Sequence, residues 1–154
     1  MIYTKKADIY DAANVGLLVE ALMQEMDHDS PNLDHFTYEN LFRESLTNDH
    51  HAEILLAFEG NKCVGLISVA LSYAFYAEGN IGIINELYVL PSHRSKGVGK
   101  ILLEAIKQFA FENKWKRLEL TSAKVDRTHA FYLREGFEEI GVRYRFIVDA
   151  SLKG

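Results

Sequence analysis

The fold is decided by the short run Arg94-Ser95-Lys96-Gly97-Val98-Gly99. It follows an apolar, strand-like stretch over residues 81–90 and precedes a strongly amphipathic segment over residues 100–112. A tight turn that leads from a strand into a helix leaves several backbone N–H groups without intrahelical acceptors. Those groups lie at the positive end of the helix dipole and together form an anion-binding site.

The residue types in this run favour a phosphate ligand. Gly97 and Gly99 have no Cβ, so a ligand could approach the backbone closely. Arg94, Lys96 and Lys100 add positive charge of the kind that binds phosphate. The segment therefore predicts a site for a phosphate-bearing small molecule.

Two familiar phosphate-binding motifs do not match this segment. A Walker loop requires a glycine where Arg94 stands and a Ser or Thr after the lysine, whereas Lys100 is followed by Ile101. A dinucleotide-binding fingerprint requires a third glycine where Leu102 stands. What remains is the pattern R-x-x-G-x-G between a strand and a helix.

This pattern resembles the acyl-CoA pyrophosphate loop of the GNAT superfamily of N-acetyltransferases, and the resemblance extends beyond the loop. Residues 85–91, Asn-Glu-Leu-Tyr-Val-Leu-Pro, resemble the family's fourth strand. Residues 129–137 resemble its late Phe-Tyr-x-x-x-Gly-Phe region. Residues 118–136 and the ending Arg143-Tyr144-Arg145-Phe146 are similar to aminoalkylphosphonate N-acetyltransferases.

The resemblance implies a single N-acetyltransferase domain over residues 1–154 of the α/β (α+β) class. Its sheet would be mixed and mostly antiparallel, flanked by helices on both faces and splayed between the fourth and fifth strands. Hydrophobic periodicity and turn residues predict the same order of elements. The predicted strands cover residues 2–5, 54–58, 62–73, 81–90, 117–121 and 138–148, the last closing the sheet, and the predicted helices cover residues 9–26, 37–46, 100–112 and 125–135.

The implied reaction is transfer of an acetyl group from acetyl-CoA to a primary amine of a small molecule, by direct attack on the thioester. A free alkylammonium has a pKa of about 10, so its nucleophilic form is scarce at neutral pH, and a nearby carboxylate could accept its proton directly or through a water. Glu86 is the first candidate, because a carboxylate within an apolar strand is costly unless it is solvated, paired or useful. The alternative is a strand glutamate whose side chain reaches solvent.

Tyr132 matches the family's general-acid tyrosine and would protonate the leaving thiolate of CoA. The alternative is that Phe131 and Tyr132 together only pack a helix on the sheet. The resemblance also implies that an oxyanion-binding N–H lies near Val89 and that the main chain of nearby strand residues holds the pantetheine arm. The implied cofactor-binding residues are Leu87, Tyr88, Val89, Arg94, Ser95, Lys96, Gly97, Val98, Gly99 and Lys100.

The six histidines could suggest metal ligands, but their spacing fits no fixed zinc pattern, so no metal site is predicted. His93 could touch phosphate, and His129, one turn before Tyr132, could line the pocket or orient the phenol. Residues 27–34 would form an amine-binding rim.

Composition narrows the class of protein. The net charge of −5 argues against general nucleic-acid binding, and 48% hydrophobic with 25% charged residues is typical of a globular domain. The N-terminal residues show no signal-peptide pattern. The sequence also has no apolar run of about 20 residues, so no membrane segment is predicted. The single cysteine, Cys63, fits a cytoplasmic protein.

The resemblance implies a homodimer. The competing interpretation of the function is a catalytically idle acyl-CoA-binding sensor or oligomerisation module.

Overall fold

The computed structural model describes residues 1–26, 33–47, 52–122, 126–149 and 151. Its strands are β1 (Ile2–Lys6), β2 (Ala52–Glu59), β3 (Lys62–Ala74), β4 (Gly79–Val89) and β5 (Arg117–Leu120). Its helices are α1 (Ala12–Glu25), α2 (His35–Thr47), α3 (Val98–Glu112) and α4 (Asp126–Arg134). Short 3-10 turns cover Ile9–Asp11, Phe75–Ala77 and Pro91–His93.

The strands form one sheet in the order β1-β2-β3-β4-β5. The first four strands pair antiparallel, and β4 pairs parallel with β5. This confirms the predicted mixed, mostly antiparallel sheet. The β4–β5 pairing spans four residues and ends at Ile84 opposite Leu120, so the last five residues of β4 extend past the ladder with β5.

Helices cover both faces of the sheet, as predicted. The β2 residues Leu55 and Ala57 belong to a core shared with α3, whereas Leu56 and Phe58 belong to a second core shared with α1 and α2. A continuous apolar run is what a strand covered on both faces requires. Leu102 and its buried neighbours on α3 are fully enclosed, and burying each such side chain stabilises the fold by about 1.5–3 kcal/mol.

The first helical segment begins with a 3-10 turn before α1. Asp8 caps it, because its carboxylate accepts a hydrogen bond of 2.9 Å from the Tyr10 N–H. Inside α1, Gly16 allows close packing against α2: a Cβ there would lie 2.5 Å from the His35 carbonyl oxygen and 2.6 Å from Glu39 Cγ. The pair α1–α2 is therefore fixed by a contact that a larger residue would break.

The predicted strand over residues 138–148 is wrong. These residues carry no strand assignment and pair with no strand of the sheet, and their alternating apolar side chains are exposed. An alternating pattern encodes a segment with one apolar side, but a strand forms only when an edge is available to pair with it. In this structure, no strand of the described sheet pairs with residues 138–148.

No helix in the described part of the chain is both long enough and apolar enough to cross a membrane. The predicted start of the fourth helix at Val125 and most of the predicted amine-binding rim over residues 27–34 lie outside the described residues.

Candidate active site

A β-bulge in β4 sets the direction of the Glu86 side chain. Ser68 pairs with Glu86 and Val69 pairs with Ile84, so Asn85 is an extra residue on β4. Without the bulge, Glu86 would share the α3 face of Ile84, because strand side chains alternate with a period of two. The extra residue places Glu86 instead on the face of Tyr88, which packs with the α1–α2 core.

Ser68 holds Glu86 through two hydrogen bonds. The Ser68 hydroxyl donates to Glu86 Oε2 at 3.0 Å, and the Glu86 N–H donates to Ser68 Oγ at 3.1 Å. Burial raises the pKa of Glu86 above its ordinary value, while the Ser68 hydrogen bond acts in the opposite direction. The carboxyl is thus fixed in position and has a higher affinity for a proton than an exposed glutamate.

The last residues of β4 are paired on one side only, because the ladder with β5 ends before them. Leu87, Tyr88 and Val89 pair with β3 on one side, whereas the β5 ladder has already ended at Ile84. A strand edge of this kind can bind the amides of an extended ligand as an added strand would. The predicted pantetheine-binding residues therefore lie on a strand with a suitable edge.

The loop after β4 leads directly into α3 through two residues with positive φ. Ser95 has φ 62°, and Gly97, the N-cap of α3, has φ 82°. No side chain caps this helix, and its first intrahelical bond runs from the Ile101 N–H to the Gly97 carbonyl at 3.0 Å. The N–H groups of the three preceding residues, Val98, Gly99 and Lys100, therefore have no acceptor within the helix.

Charge at this helix start comes from two lysines. Lys96 and Lys100 are exposed, and neither forms a salt bridge with any residue in the described ranges. Both ammonium groups flank the α3 N-terminus in the sequence. The loop therefore offers positive charge and main-chain donors in one place, which is the combination that binds phosphate.

Arg94 is engaged differently from the two lysines. Its Nε donates to the Val89 carbonyl at 2.9 Å, and its Nη2 lies 2.9 and 2.7 Å from the two carboxylate oxygens of Glu25. Its guanidinium carbon lies 5.3 Å from the centre of the Tyr88 ring. In this structure Arg94 joins the ends of β4 and α1, and its predicted role toward phosphate stays a prediction.

The two loop glycines have different surroundings. A Cβ on Gly97 would meet no atom within 4 Å, whereas a Cβ on Gly99 would lie 3.3 Å from Phe131 Cζ. Gly97 is thus required by its backbone conformation, and Gly99 lets α4 approach the first turn of α3.

Tyr132 lies on α4 in an aromatic cluster. Its ring centre is 5.2 Å from that of Phe131 and 5.8 Å from that of Phe137, and it packs against the core on the α3 face. Burial raises its pKa, and its hydroxyl forms no hydrogen bond with any residue that the structure describes. Gly136, with φ 90°, ends the helix as predicted.

Glu86 and Tyr132 belong to opposite faces of the sheet, since Tyr132 packs on the α3 side and Glu86 shares the face of Tyr88. A reaction that uses both would take place across the end of β4, where the ladder with β5 has stopped.

The histidines of the described ranges lie in three different surroundings. His93 is buried, with its ring nitrogens 2.8 Å from Ser92 Oγ and 3.2 Å from Glu59 Oε1. His129 is exposed on α4, and His35 pairs with Glu20 at 3.4 Å. Within the described ranges, no group of three or more His, Cys, Asp or Glu residues could hold a metal ion. His28, His50 and His51 lie outside those ranges.

Sequence reasoning missed two residues of this site. Ser68 was signalled only by its polarity within the apolar strand β3. Glu25 had no local signal, because its partner Arg94 is 69 residues away. Both act on residues that the motifs had already identified.

The sequence model of the acetyltransferase (GNAT) family matches residues 19–137. The chain belongs to the GNAT family of acetyltransferases. The matched range includes β4, the start of α3 after residue 94, and α4 with Tyr132.

A similar relative of this GNAT protein is the aminoalkylphosphonate N-acetyltransferase of Salmonella typhimurium. It is 30% identical over 129 residues, which cover 83% of this chain and 79% of the relative. This confirms the resemblance predicted from the late region. The chain spans 64–79% of the lengths of three curated relatives that it matches.

Solved structures show the same fold. An integron cassette protein from the mobile metagenome of Cole Harbour Salt Marsh is 26% identical with a TM-score of 0.80, covering 96% of this chain and 90% of the other. A predicted acetyltransferase from Clostridium acetobutylicum, solved with acetyl-CoA, is 20% identical with a TM-score of 0.75, covering 96% and 97%.

Proposed function

We propose that this GNAT protein is an acetyl-CoA-dependent N-acetyltransferase that acts on a primary amine of a small molecule. The observation that carries the proposal is the position of a half-buried carboxyl, Glu86, on the same strand that leads into the anion-binding start of α3. At about 3.3 Å per residue, Glu86 lies roughly 10 Å before the end of β4.

The described residues fit acetyl-CoA. The N–H groups of Val98, Gly99 and Lys100 have no intrahelical acceptors, and Lys96 and Lys100 are exposed beside them, which suits a pyrophosphate. The edge of β4 past Ile84 suits the amides of a pantetheine arm. When bound, acetyl-CoA would supply the acetyl group as a thioester.

Glu86 acts in this proposal as the general base. Its carboxylate accepts a proton from the ammonium of the substrate, directly or through a water, and so produces the nucleophilic amine. The raised pKa brings this carboxyl closer to neutral pH, where a base is more effective. The Ser68 hydroxyl holds the carboxylate and keeps one of its oxygens in a fixed direction.

Tyr132 acts as the general acid. Its phenol holds a proton in a half-buried position, and burial raises its pKa, so the proton is retained at neutral pH. A thiol has a pKa of about 8.5 and an unperturbed phenol one near 10, so proton transfer from Tyr132, whose pKa is raised, is uphill by at least about 2 kcal/mol unless burial raises the thiol's pKa as well.

The first substrate class to examine is the aminoalkylphosphonates, because the Salmonella relative is named for acetylating them. We further place the enzyme in the cytoplasm, since its single cysteine is a free thiol, as is usual in a reducing compartment.

The test is a thiol-release assay with acetyl-CoA and a panel of amines, with and without divalent metal. The panel contains aminoalkylphosphonates, polyamines, amino acids and aminoglycosides, and acetylated products are identified by mass spectrometry. We expect turnover with at least one class and a lower rate in the Glu86→Gln variant. Tight CoA binding without turnover on any amine would favour the idle acyl-CoA-binding module instead.

A further inference from the structure

The charged end of Arg94 lies on the α1–α2 side of the sheet, away from α3. Its guanidinium carbon is 5.3 Å from the centre of the Tyr88 ring, and Tyr88 is buried in the core that α1 and α2 share. The helix α3 packs on the other face, where Leu102 belongs to the second core. The side chain of Arg94 therefore extends toward α1, while its main chain leads toward the start of α3.

Arg94 connects the end of β4 with the end of α1. Its Nε donates to the Val89 carbonyl at 2.9 Å, and its Nη2 donates to both carboxylate oxygens of Glu25, the last residue of α1. The peptide bond after Val89 is held at both ends, because the Leu90 N–H donates to the Val64 carbonyl at 2.9 Å. The guanidinium is thus fixed between a rigid strand end and a helix end.

Residues 94–97 depend on this contact for their conformation. Ser95 has φ 62°, a value that residues with a side chain rarely adopt and that persists where the surroundings enforce it. Among the described residues, the side-chain hydrogen bonds of residues 94–97 are those of Arg94. No side chain caps α3 at Gly97. The Arg94 contacts are therefore what orients the turn into α3.

We propose that Glu25 is a positioning residue of the cofactor site. Its carboxylate holds the Arg94 guanidinium over the Tyr88 ring, and Arg94 in turn fixes the main chain of residues 94–97. The free N–H groups at the start of α3 are then preorganised for a pyrophosphate, which reduces the cost of ordering the loop on binding. This inference rests on the proposed function, because it takes CoA as the ligand of this helix start.

The alternative is that Glu25 competes with a phosphate of CoA for Arg94. The geometry favours the positioning role, because the Arg94 contacts all lie on the α1–α2 side of the sheet. Positive charge for the phosphates is also present without Arg94, since Lys96 and Lys100 are exposed and form no salt bridge with any residue in the described ranges. The two roles predict opposite effects on CoA affinity when Glu25 is removed.

The first experiment measures CoA binding by calorimetry in the parent protein and in Glu25→Ala. We expect binding about 5-fold weaker in the variant, the upper range for a partly exposed ion pair. The KM for acetyl-CoA should rise by the same factor with kcat unchanged, because Glu25 does not touch the reacting atoms. Glu53→Ala is the matched control and should bind CoA as the parent does. It removes a carboxylate that pairs with Lys6 at 3.1 Å at the start of β2.

The outcomes separate this proposal from the proposed function. Unchanged or tighter CoA binding by Glu25→Ala, in a parent that binds CoA, overturns the positioning role alone. A parent that binds no CoA overturns both. Equal weakening by Glu25→Ala and Glu53→Ala assigns the effect to overall charge and also overturns the positioning role.

The second experiment asks whether Glu25 acts through Arg94. Arg94→Lys keeps the positive charge, but one ammonium cannot reproduce the planar set of donors that reaches both Val89 and Glu25. We expect Arg94→Lys to weaken CoA binding at least as much as Glu25→Ala, and the double variant to bind no more weakly than Arg94→Lys. Parent affinity in Arg94→Lys, or losses that add in the double variant, would overturn the proposal.

Discussion

Residues 94–100, which we call the α3 loop, and residues 138–148, which we call the C-terminal arm, both present groups to solvent, but the groups differ in kind. The loop presents main-chain N–H groups and two lysines, held in place by backbone conformations at Ser95 and Gly97. The loop therefore suits an anion, whereas the exposed surface of the arm is largely apolar. The arm presents five exposed apolar side chains: Ile140, Val142, Tyr144, Phe146 and Val148.

The two regions also differ in how they are anchored. The loop is fixed by Arg94, which bonds the Val89 carbonyl and Glu25, and by the packing of Gly99 against Phe131. The arm is connected to the end of β5 by the hydrogen bond from Arg143 Nη1 to Thr121 Oγ1. We therefore expect changes in the loop to alter ligand binding and changes in the arm to leave it unaltered.

The largest effect on activity is expected from a substitution at Tyr132, on α4, which lies between the two regions in the sequence. Tyr132→Phe keeps the ring packing against Phe131 and Phe137 but removes the phenolic proton. We expect kcat to fall by about 100-fold or more with little change in CoA affinity. Steady-state kinetics with the best amine and calorimetry with CoA check this, and unchanged kcat would reduce Tyr132 to a packing residue.

A substitution at Gly97 tests the loop by its backbone. Gly97→Val forces a β-branched residue into φ 82°, which costs about 1–2 kcal/mol, and we expect CoA to bind at least 10-fold more weakly. Gly60→Val is the matched control, since Gly60 also has positive φ and open surroundings but lies in the β2–β3 turn. Equal CoA affinity in both variants would mean that the loop does not bind the pyrophosphate.

Charge removal compares the two regions directly. The double variant Lys96→Ala/Lys100→Ala removes two positive charges from the loop, and Arg143→Ala/Arg145→Ala removes two from the arm. We expect the loop variant to bind CoA about 10-fold more weakly, with a reduced dependence on salt, and the arm variant to bind it as the parent does. Titration calorimetry at two salt concentrations measures both, and equal weakening would assign the effect to overall charge.

The smallest effect is expected on the pH dependence. Glu86 must be ionised to act as a base, so kcat/KM should fall as the pH drops through the raised pKa of Glu86. Ser68→Ala removes a hydrogen bond to the ionised form, which raises that pKa further and moves the acid limb to higher pH. Glu86→Gln should abolish the limb, and an acid limb that is identical in all three proteins would exclude Glu86 as the base.

Local patterns predicted most of the fold and the loop correctly. The apolar run of β2, the amphipathic stripe of α3 and the Gly136 cap are encoded by neighbouring residues, so periodicity was sufficient to find them. The bulge at Asn85 was not predictable, because it depends on pairing with β3. The arm shows the same limit, since its alternation predicts a strand but does not say whether a sheet edge pairs with it.

The polar contacts between residues far apart in the chain could not be predicted from the sequence either. The Arg94–Glu25 contact joins residues 69 positions apart, and the Ser68–Glu86 contact joins residues 18 apart. Neither pair has a spacing that local structure would fix. The motifs identified the residues of the loop and of β4, whereas the structure was needed to find the side chains that hold them.

The most direct test of the central claim is an amide NMR titration of the protein with CoA. If the start of α3 binds the pyrophosphate through its main chain, the N–H signals of Val98, Gly99 and Lys100 will shift most, and inorganic pyrophosphate will shift the same signals by less. The signals of the C-terminal arm should not move. Large shifts elsewhere with these three amides unchanged would contradict the assignment of the cofactor site.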